Sequence, residues 1–212
     1  MRISRRHAAA AAVAALLTLS PTAQADRNGL PEDFDLSPVT FGGAGGGTSR
    51  DEARMLSHCP VILVPDQFRD HSDWTGQNTG LGATTEGDVY AALLREGFQP
   101  IEIWMIDFAP ANHYMTSIEE ATDDLKFFIT AVMAYTGADR VQIVAHGTGG
   151  LLARLTLLKY SIAHWVAAEV YIDTPFHGMG SDAAAERTLM GDPNAWVLTA
   201  GSPLLREILI HG

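Results

Sequence analysis

The stretch VQIVAHGTGGLLARL, Val141 to Leu155, holds the residues whose types and spacing bear most directly on chemistry. An apolar run, a tight glycine turn and a helical pattern follow one another here. A strand–turn–helix of this kind presents a nucleophilic serine at the apex of a sharp turn, in the pattern G-x-S-x-G. The frame falls on Ala145-His146-Gly147-Thr148-Gly149, so the position of the serine carries Gly147. Glycine has no side chain to project, and the turn reads as a nucleophile elbow whose nucleophile is gone.

Nucleophilic acyl transfer also needs a base, a carboxylate to orient it, and N–H donors for the oxyanion. Thr148 lies one position after the apex, where its hydroxyl should point away from it and cap or pack. Asp173 follows an apolar run and either supplies an acid or ends the strand on local N–H groups. His146 precedes the apex and reads as a packing and hydrogen-bonding residue. His177 sits in a loop and reads as a structural or ligand-contacting residue. Thr148, Asp173 and His177 are the substitutes a compensated enzyme would use. His211 is too close to the last residue of the sequence to assign.

Asp66, Asp70, His71 and Asp73 form an oxygen-rich cluster that would suit calcium or another hard cation. Their spacing is not that of an EF-hand loop, and a solvated acidic loop is the favoured reading. No metal and no cofactor are expected. Cys59 is the single cysteine, so no disulfide within these residues is expected; it reads as a small core residue.

The elements that must position these groups alternate. Val61 to Val64, Ile101 to Phe108, Val141 to Ala145 and Val166 to Ile172 read as strands. Asp88 to Glu96, Thr116 to Thr136, Gly149 to Tyr160 and about Ser202 to Leu209 read as helices. The second is the clearest. Ile118, Ala121, Leu125, Phe128, Ile129 and Val132 make an apolar stripe, Ser117 with Glu120 offers a capping box, and Gly137 a stop. Strands separated by helices imply parallel pairing and right-handed crossovers, hence an α/β fold with a doubly wound, mostly parallel sheet. Ligands in such sheets lie at the carboxyl ends of the strands. That singles out Pro65-Asp66, Asp107, His146-Gly147-Thr148 and Asp173-Thr174.

Residues 1–25 combine three arginines, an apolar run from Ala8 to Leu19 and a small-x-small site at Ala23-Gln24-Ala25. They read as a secretory signal peptide, too short in its apolar core to span a bilayer. A secreted or periplasmic protein is expected, with no integral membrane segment. Residues 26–58 read as loosely ordered and rich in glycine, the run Phe41 to Gly47 being a linker or a glycine-rich edge strand. Residues 59–212 read as one domain. The net charge of −11 disfavours nucleic acid and anionic membranes and fits a neutral partner.

The ordered set of segments FGGAGGG, PVILV, RDHSDW, GDVYAALLREGF, AYTGADRVQIVAHGTGG, DTPFHGMG and GSPLLREI resembles secreted bacterial lipases and extracellular polyhydroxyalkanoate depolymerases of the α/β-hydrolase fold. The resemblance covers most of residues 40 to 210. It implies a carboxylic-ester hydrolase, a neutral acyl-ester or polyester ligand, and three departures. Serine is replaced at Gly147. The His-Gly that ends the family's first strand and helps form the oxyanion hole is replaced by Pro65-Asp66; Pro65 has no N–H, and the Asp66 carboxylate would repel an oxyanion. The family's catalytic Asp and His lie beyond the point matching Ile208, so the fold is expected to lack its last strands. The expected product is a family member impaired in catalysis. The alternatives are an esterase with compensating residues, a non-catalytic binder of acyl or polyester ligands, and a truncated product. The Val166 to Ile172 strand is expected at an open edge that invites self-association. Gly147 is expected to have relaxed the turn.

Overall fold

A computed structural model describes residues 29–36, 41–67, 69–76, 89–108, 117–189 and 191–211. The leader expected over residues 1–25 lies outside these, as do residues 88 and 116, where two of the helices are expected to start. Among the described residues, five strands form one sheet: β1 (Gly42–Gly45), β2 (Val61–Val64), β3 (Ile103–Asp107), β4 (Val141–His146) and β5 (Val166–Ile172), in the order β1-β3-β2-β4-β5. β3, β2, β4 and β5 pair in parallel, and β1 joins β3 antiparallel. The helices are α1 (Val89–Arg95), α2 (Ile118–Thr136), α3 (Thr148–Tyr160), α4 (Ser181–Leu189) and α5 (Pro203–His211).

β2 shows why the sheet is covered on both faces. All four of its residues are buried, and successive side chains point to opposite sides. Ile62 and Val64 join the larger core with the stripe of α2, Ile118, Leu125, Phe128, Ile129 and Val132, and with Leu151, Leu152 and Leu155 of α3. Val61 and Leu63 join a smaller cluster with Trp74, Ile103 and Met105, against which Val89, Tyr90 and Leu93 of α1 pack. Helices on both faces of a parallel sheet give the doubly wound arrangement, with one antiparallel edge strand at β1.

Local chemistry fixes the ends of α2. The Ser117 hydroxyl accepts a hydrogen bond from the Glu120 N–H at 3.1 Å. Gly137 closes the helix at φ 73°, its N–H donating to the Met133 carbonyl. The strand expected from Ile101 begins later, because Pro100–Glu102 forms a 3-10 turn before β3.

The glycine-dense run is the edge strand β1, one of its two expected forms. A Cβ at Gly43 would lie 2.3 Å from the Met105 carbonyl oxygen, so only glycine fits this close to β3. Apolar side chains from the described residues 30–41 pack into the larger core. Phe34 packs on Trp104 at 4.8 Å between ring centroids, and Leu30, Leu36 and Phe41 share the same core. Their short apolar spacings carry no helical or strand period, which is why the sequence alone did not show them.

β5 lies at the far edge of the sheet. Val170 and Ile172 remain 51% and 40% exposed, on the side where β2 and β3 are covered by α1. No helix among the described residues is long and apolar enough to cross a membrane.

Candidate functional site

β4 and α3 meet at Gly147, whose φ of 55° and ψ of −129° lie outside the helical and extended regions. The turn has not relaxed: glycine holds the sharp bend that a serine would have to be strained into. The Gly147 N–H donates to the Ile172 carbonyl of β5 at 2.9 Å, which ties the turn to the sheet edge. On the next turn of backbone, a Cβ at Gly149 would come within 2.2 Å of the Pro65 carbonyl oxygen. Glycine there lets the start of α3 abut the end of β2.

Asp66 enters this contact from β2. Its Oδ1 accepts hydrogen bonds from the Thr148 backbone N–H at 2.7 Å and the Thr148 hydroxyl at 2.8 Å. The Thr148 N–H belongs to the residue after the elbow apex, the position that supplies an oxyanion donor in hydrolases of this design. A Cβ at residue 147 would lie 2.3 Å from Oδ1 and 2.4 Å from Cγ of Asp66. The carboxylate therefore occupies both the oxyanion donor and the space of the missing side chain. Helix polarity favours an anion at this end of α3.

Thr148 is 2% exposed, and its oxygen also accepts the Gln67 N–H at 3.0 Å. It acts as a buried joint between β2 and α3. Gln67 continues inward. Its Nε2 donates to Asp192 Oδ1 at 2.5 Å, and its Oε1 accepts from Arg187 Nη2 at 3.0 Å. Arg187 Nε donates to Asp192 Oδ2 at 2.5 Å, and the Asn194 N–H donates to Asp192 Oδ1 at 2.8 Å. Arg187 of α4, Asp192 and Asn194 are thereby tied to Gln67, next to Asp66.

The remaining candidates are placed apart. The four groups of the acidic cluster take separate partners: Asp66 binds Thr148, Asp70 caps the Ser72 N–H at 2.8 Å, and Asp73 faces Arg69 at 3.5 Å. His71 goes to Asp107, whose Oδ1 accepts the His71 backbone N–H at 2.7 Å while Oδ2 lies 2.6 Å from Nδ1. His146 is partly buried and stands edge-on to Trp74, with ring centroids 6.5 Å apart. Asp173 follows β5 in a left-handed conformation at φ 50°, and it and His177 are exposed. Neither joins the bonded group around Asp66 among the described residues. Cys59 is partly buried and donates to the Arg140 carbonyl; burial pushes its thiol up, with Arg140 opposing.

Two features were not read from the sequence. The His71–Asp107 pair had one signal, an acidic residue ending an otherwise apolar strand. The Gln67–Arg187–Asp192 group had none, since Gln67 lies 120 and 125 residues before its two partners.

A family model for lipases of class 2 matches residues 58–164. The chain belongs to the class 2 lipase family. The match holds β2, the Asp66 loop, α2, the elbow and α3. Solved structures of lipases share the fold. The mature lipase BlEst2 of Bacillus licheniformis superposes with a TM-score of 0.54 at 16% identity, over 75% of this chain and 63% of that one. Lipase B of Aspergillus fumigatus gives 0.52 at 15%, over 70% and 32%. Phospholipase PlaB of Legionella pneumophila, in complex with thio-NAD, gives 0.51 at 17%, over 71% and 33%. These identities speak for the α/β-hydrolase fold alone, and this lipase-family chain spans less than two thirds of the length of each. No curated protein matches it.

Proposed function

We propose that this chain is an exported member of the lipase family that keeps the elbow and does not hydrolyse carboxylic esters through it. The observation that carries the reading is the pair Gly147 and Asp66. Residue 147 offers no nucleophile, and the Thr148 N–H already holds a carboxylate at 2.7 Å. In serine hydrolases, loss of the nucleophile costs on the order of 10⁶ in turnover, and loss of an oxyanion donor roughly 10²–10³. A developing oxyanion at this site would also meet the negative charge of Asp66.

The capacity that fits such a site is the binding of a neutral acyl ester or polyester segment, in keeping with the net charge of −11. The leader-like residues 1–25 support a secreted or periplasmic location. The exposed Val170 and Ile172 on the edge strand support self-association.

Purified protein assayed with short-chain nitrophenyl esters should show no turnover above a matched blank. Turnover that survives repurification and is abolished by Thr148→Val would overturn the reading and establish a compensated esterase.

A further inference from the structure

Among the described residues β5 is an edge of the sheet, and its outer side presents a defined set of bonding groups. The Gly147 N–H donates to the Ile172 carbonyl, so the backbone of Ile172 faces β4. Successive residues of a strand turn their N–H and C=O to opposite sides. Ala168 and Val170 therefore also face β4, while Glu169 and Tyr171 turn their backbone groups outward. The register shift at Val141/Gln142 leaves Ala167 as the extra residue of a bulge, which breaks the ladder at that end. What the strand offers a partner is the short run 168–172.

The side chains sort by face. Ala168, Val170 and Ile172 lie on the side where α1 covers β2 and β3, and all three are exposed. Glu169 and Tyr171 lie on the other side, beside a cavity of about 340 Å³ that Arg154, Phe176 and Leu209 also line. The net charge of −11 opposes the approach of a second copy, so a contact between copies must carry little charge of its own. β5 meets that condition. Its one charged residue, Glu169, lies 3.5 Å from Arg154 and accepts the Tyr171 hydroxyl. The opposite edge does not serve. β1 is four residues long, three of them glycine, and its alanine is buried.

Charge also selects the register. Antiparallel pairing centred on Glu169 sets two carboxylates directly opposite each other, which is destabilising. Pairing centred on Val170 sets Glu169 opposite the partner's Tyr171 and Ala168 opposite the partner's Ile172. Val170 then meets the partner's Val170 in a non-hydrogen-bonded pair, the closer of the two pair types on an antiparallel ladder.

We propose that β5 pairs antiparallel with β5 of a second copy, in the register centred on Val170. This rests on the self-association proposed above and gives it a surface and a geometry. The backbones of Glu169 and Tyr171 exchange N–H···O bonds with those of the partner's Tyr171 and Glu169, which joins the two sheets into one. Ala168, Val170 and Ile172 of the two copies cover one another on the exposed apolar face. The contact is isologous, so it closes at the dimer and does not propagate.

The test is sedimentation velocity of the purified protein, with disulfide trapping in a Cys59→Ala background. The protein should sediment as a dimer. Val170→Lys should raise the Kd about tenfold or more, by setting two ammonium groups opposite each other. Val170→Cys should form a disulfide-linked dimer on mild oxidation, because its Cα lies about 4.5 Å from that of its copy, within bridging range. Ala168→Cys and Ile172→Cys lie on the order of 13 Å from their own copies and should not self-link, but mixed together they should link to each other. Self-linking of Ala168→Cys at the rate of Val170→Cys overturns the register. A dimer that withstands Val170→Lys overturns the pairing and leaves the self-association it rests on; a monomer at all concentrations overturns both. None of these readouts involves ester turnover, so the pairing and the loss of hydrolysis fail separately.

Discussion

Asp66 and residue 147 compete for one volume: a Cβ at Gly147 would sit 2.3 Å from Oδ1 of Asp66. The carboxylate and an elbow side chain are alternatives, and the glycine is the condition under which the carboxylate binds Thr148.

The competition predicts a strong coupling. Gly147→Ser meets both a positive φ, which costs about 1–3 kcal/mol for a residue with a side chain, and the overlap with Asp66. It should lower stability by about 2 kcal/mol or more and restore no ester hydrolysis. Asp66→Ala alone loses a cap of α3, worth about 1 kcal/mol. In the double variant the overlap is gone, so the two losses should sum to less than their separate values by about 1–3 kcal/mol. Denaturant midpoints of the four proteins give the coupling. Simple additivity would show that the two groups do not meet.

Glu102 predicts a loss of stability in acid. Its side chain is fully buried and accepts backbone N–H bonds from Ser57, from His58 at 2.7 Å and from Gln99 at 2.8 Å, with His58 Nδ1 at 3.1 Å. Burial pushes its carboxyl up, but these bonds together outweigh it and hold the group below its ordinary value. A carboxylate lowered on folding contributes stability above its unfolded pKa and loses it as the pH falls through the folded one. Glu102→Gln should therefore lose most relative to the parent near neutrality, with the gap closing below about pH 4. Glu102→Ala, which leaves several buried N–H groups without an acceptor, should cost about 3 kcal/mol at pH 7. Thermal melts across pH 3 to 7 test both.

Asp124 predicts the opposite sign. Burial on α2, with Asp123 and Glu120 adding repulsion, pushes its carboxyl up to about 6. A carboxyl raised on folding binds more protons in the native state between its two pKa values, so stability falls as the pH rises through that window. At pH 7 the charged group is a burden. Asp124→Asn should raise stability there by about 1 kcal/mol, after discounting for solvent screening at a partly exposed site. The gain should fade from about pH 6 to pH 4. A gain that persists unchanged at pH 4 would assign it to helix propensity or packing.

Legibility in the sequence followed the range of the interactions. The α2 helix was readable because its stripe, its Ser117 cap and its Gly137 stop act within a few residues. Parallel β2, β3 and β4 were readable as short apolar runs between helices. The α4 helix was not, since only Ala184 among its residues is buried and no apolar period marks it. At the site, Gly147 and Asp66 could each be singled out by type and position. Their contact could not, because it depends on β2 and β4 lying side by side, which brings residues 66 and 148 within 2.7 Å. The persistence of the bent backbone at Gly147 was likewise invisible: a glycine tolerates both the strained and the relaxed turn, and the Ile172 carbonyl that accepts its N–H comes from another strand.

The joint between α4 and the Asp66 loop yields the last prediction. Arg187 and Asp192 form an ion pair at 2.5 Å, with Asp192 1% and Arg187 24% exposed, and both bind Gln67. A buried pair adds little against an apolar replacement of similar volume, but removing one partner strands the other's charge, at about 3–5 kcal/mol. Asp192→Leu should therefore cost about 3 kcal/mol, and Arg187→Met less, because its partner still receives the Gln67 amide and the Asn194 N–H. Arg187→Met with Asp192→Leu should recover much of the loss of the Asp192 variant. If Gln67 transmits the joint to the elbow, amide exchange at Thr148 should speed up in Asp192→Leu and return toward the parent rate in the double variant. Exchange that is unchanged in Asp192→Leu, alongside the full loss of stability, would show that the network staples α4 to the domain without holding Asp66 in place.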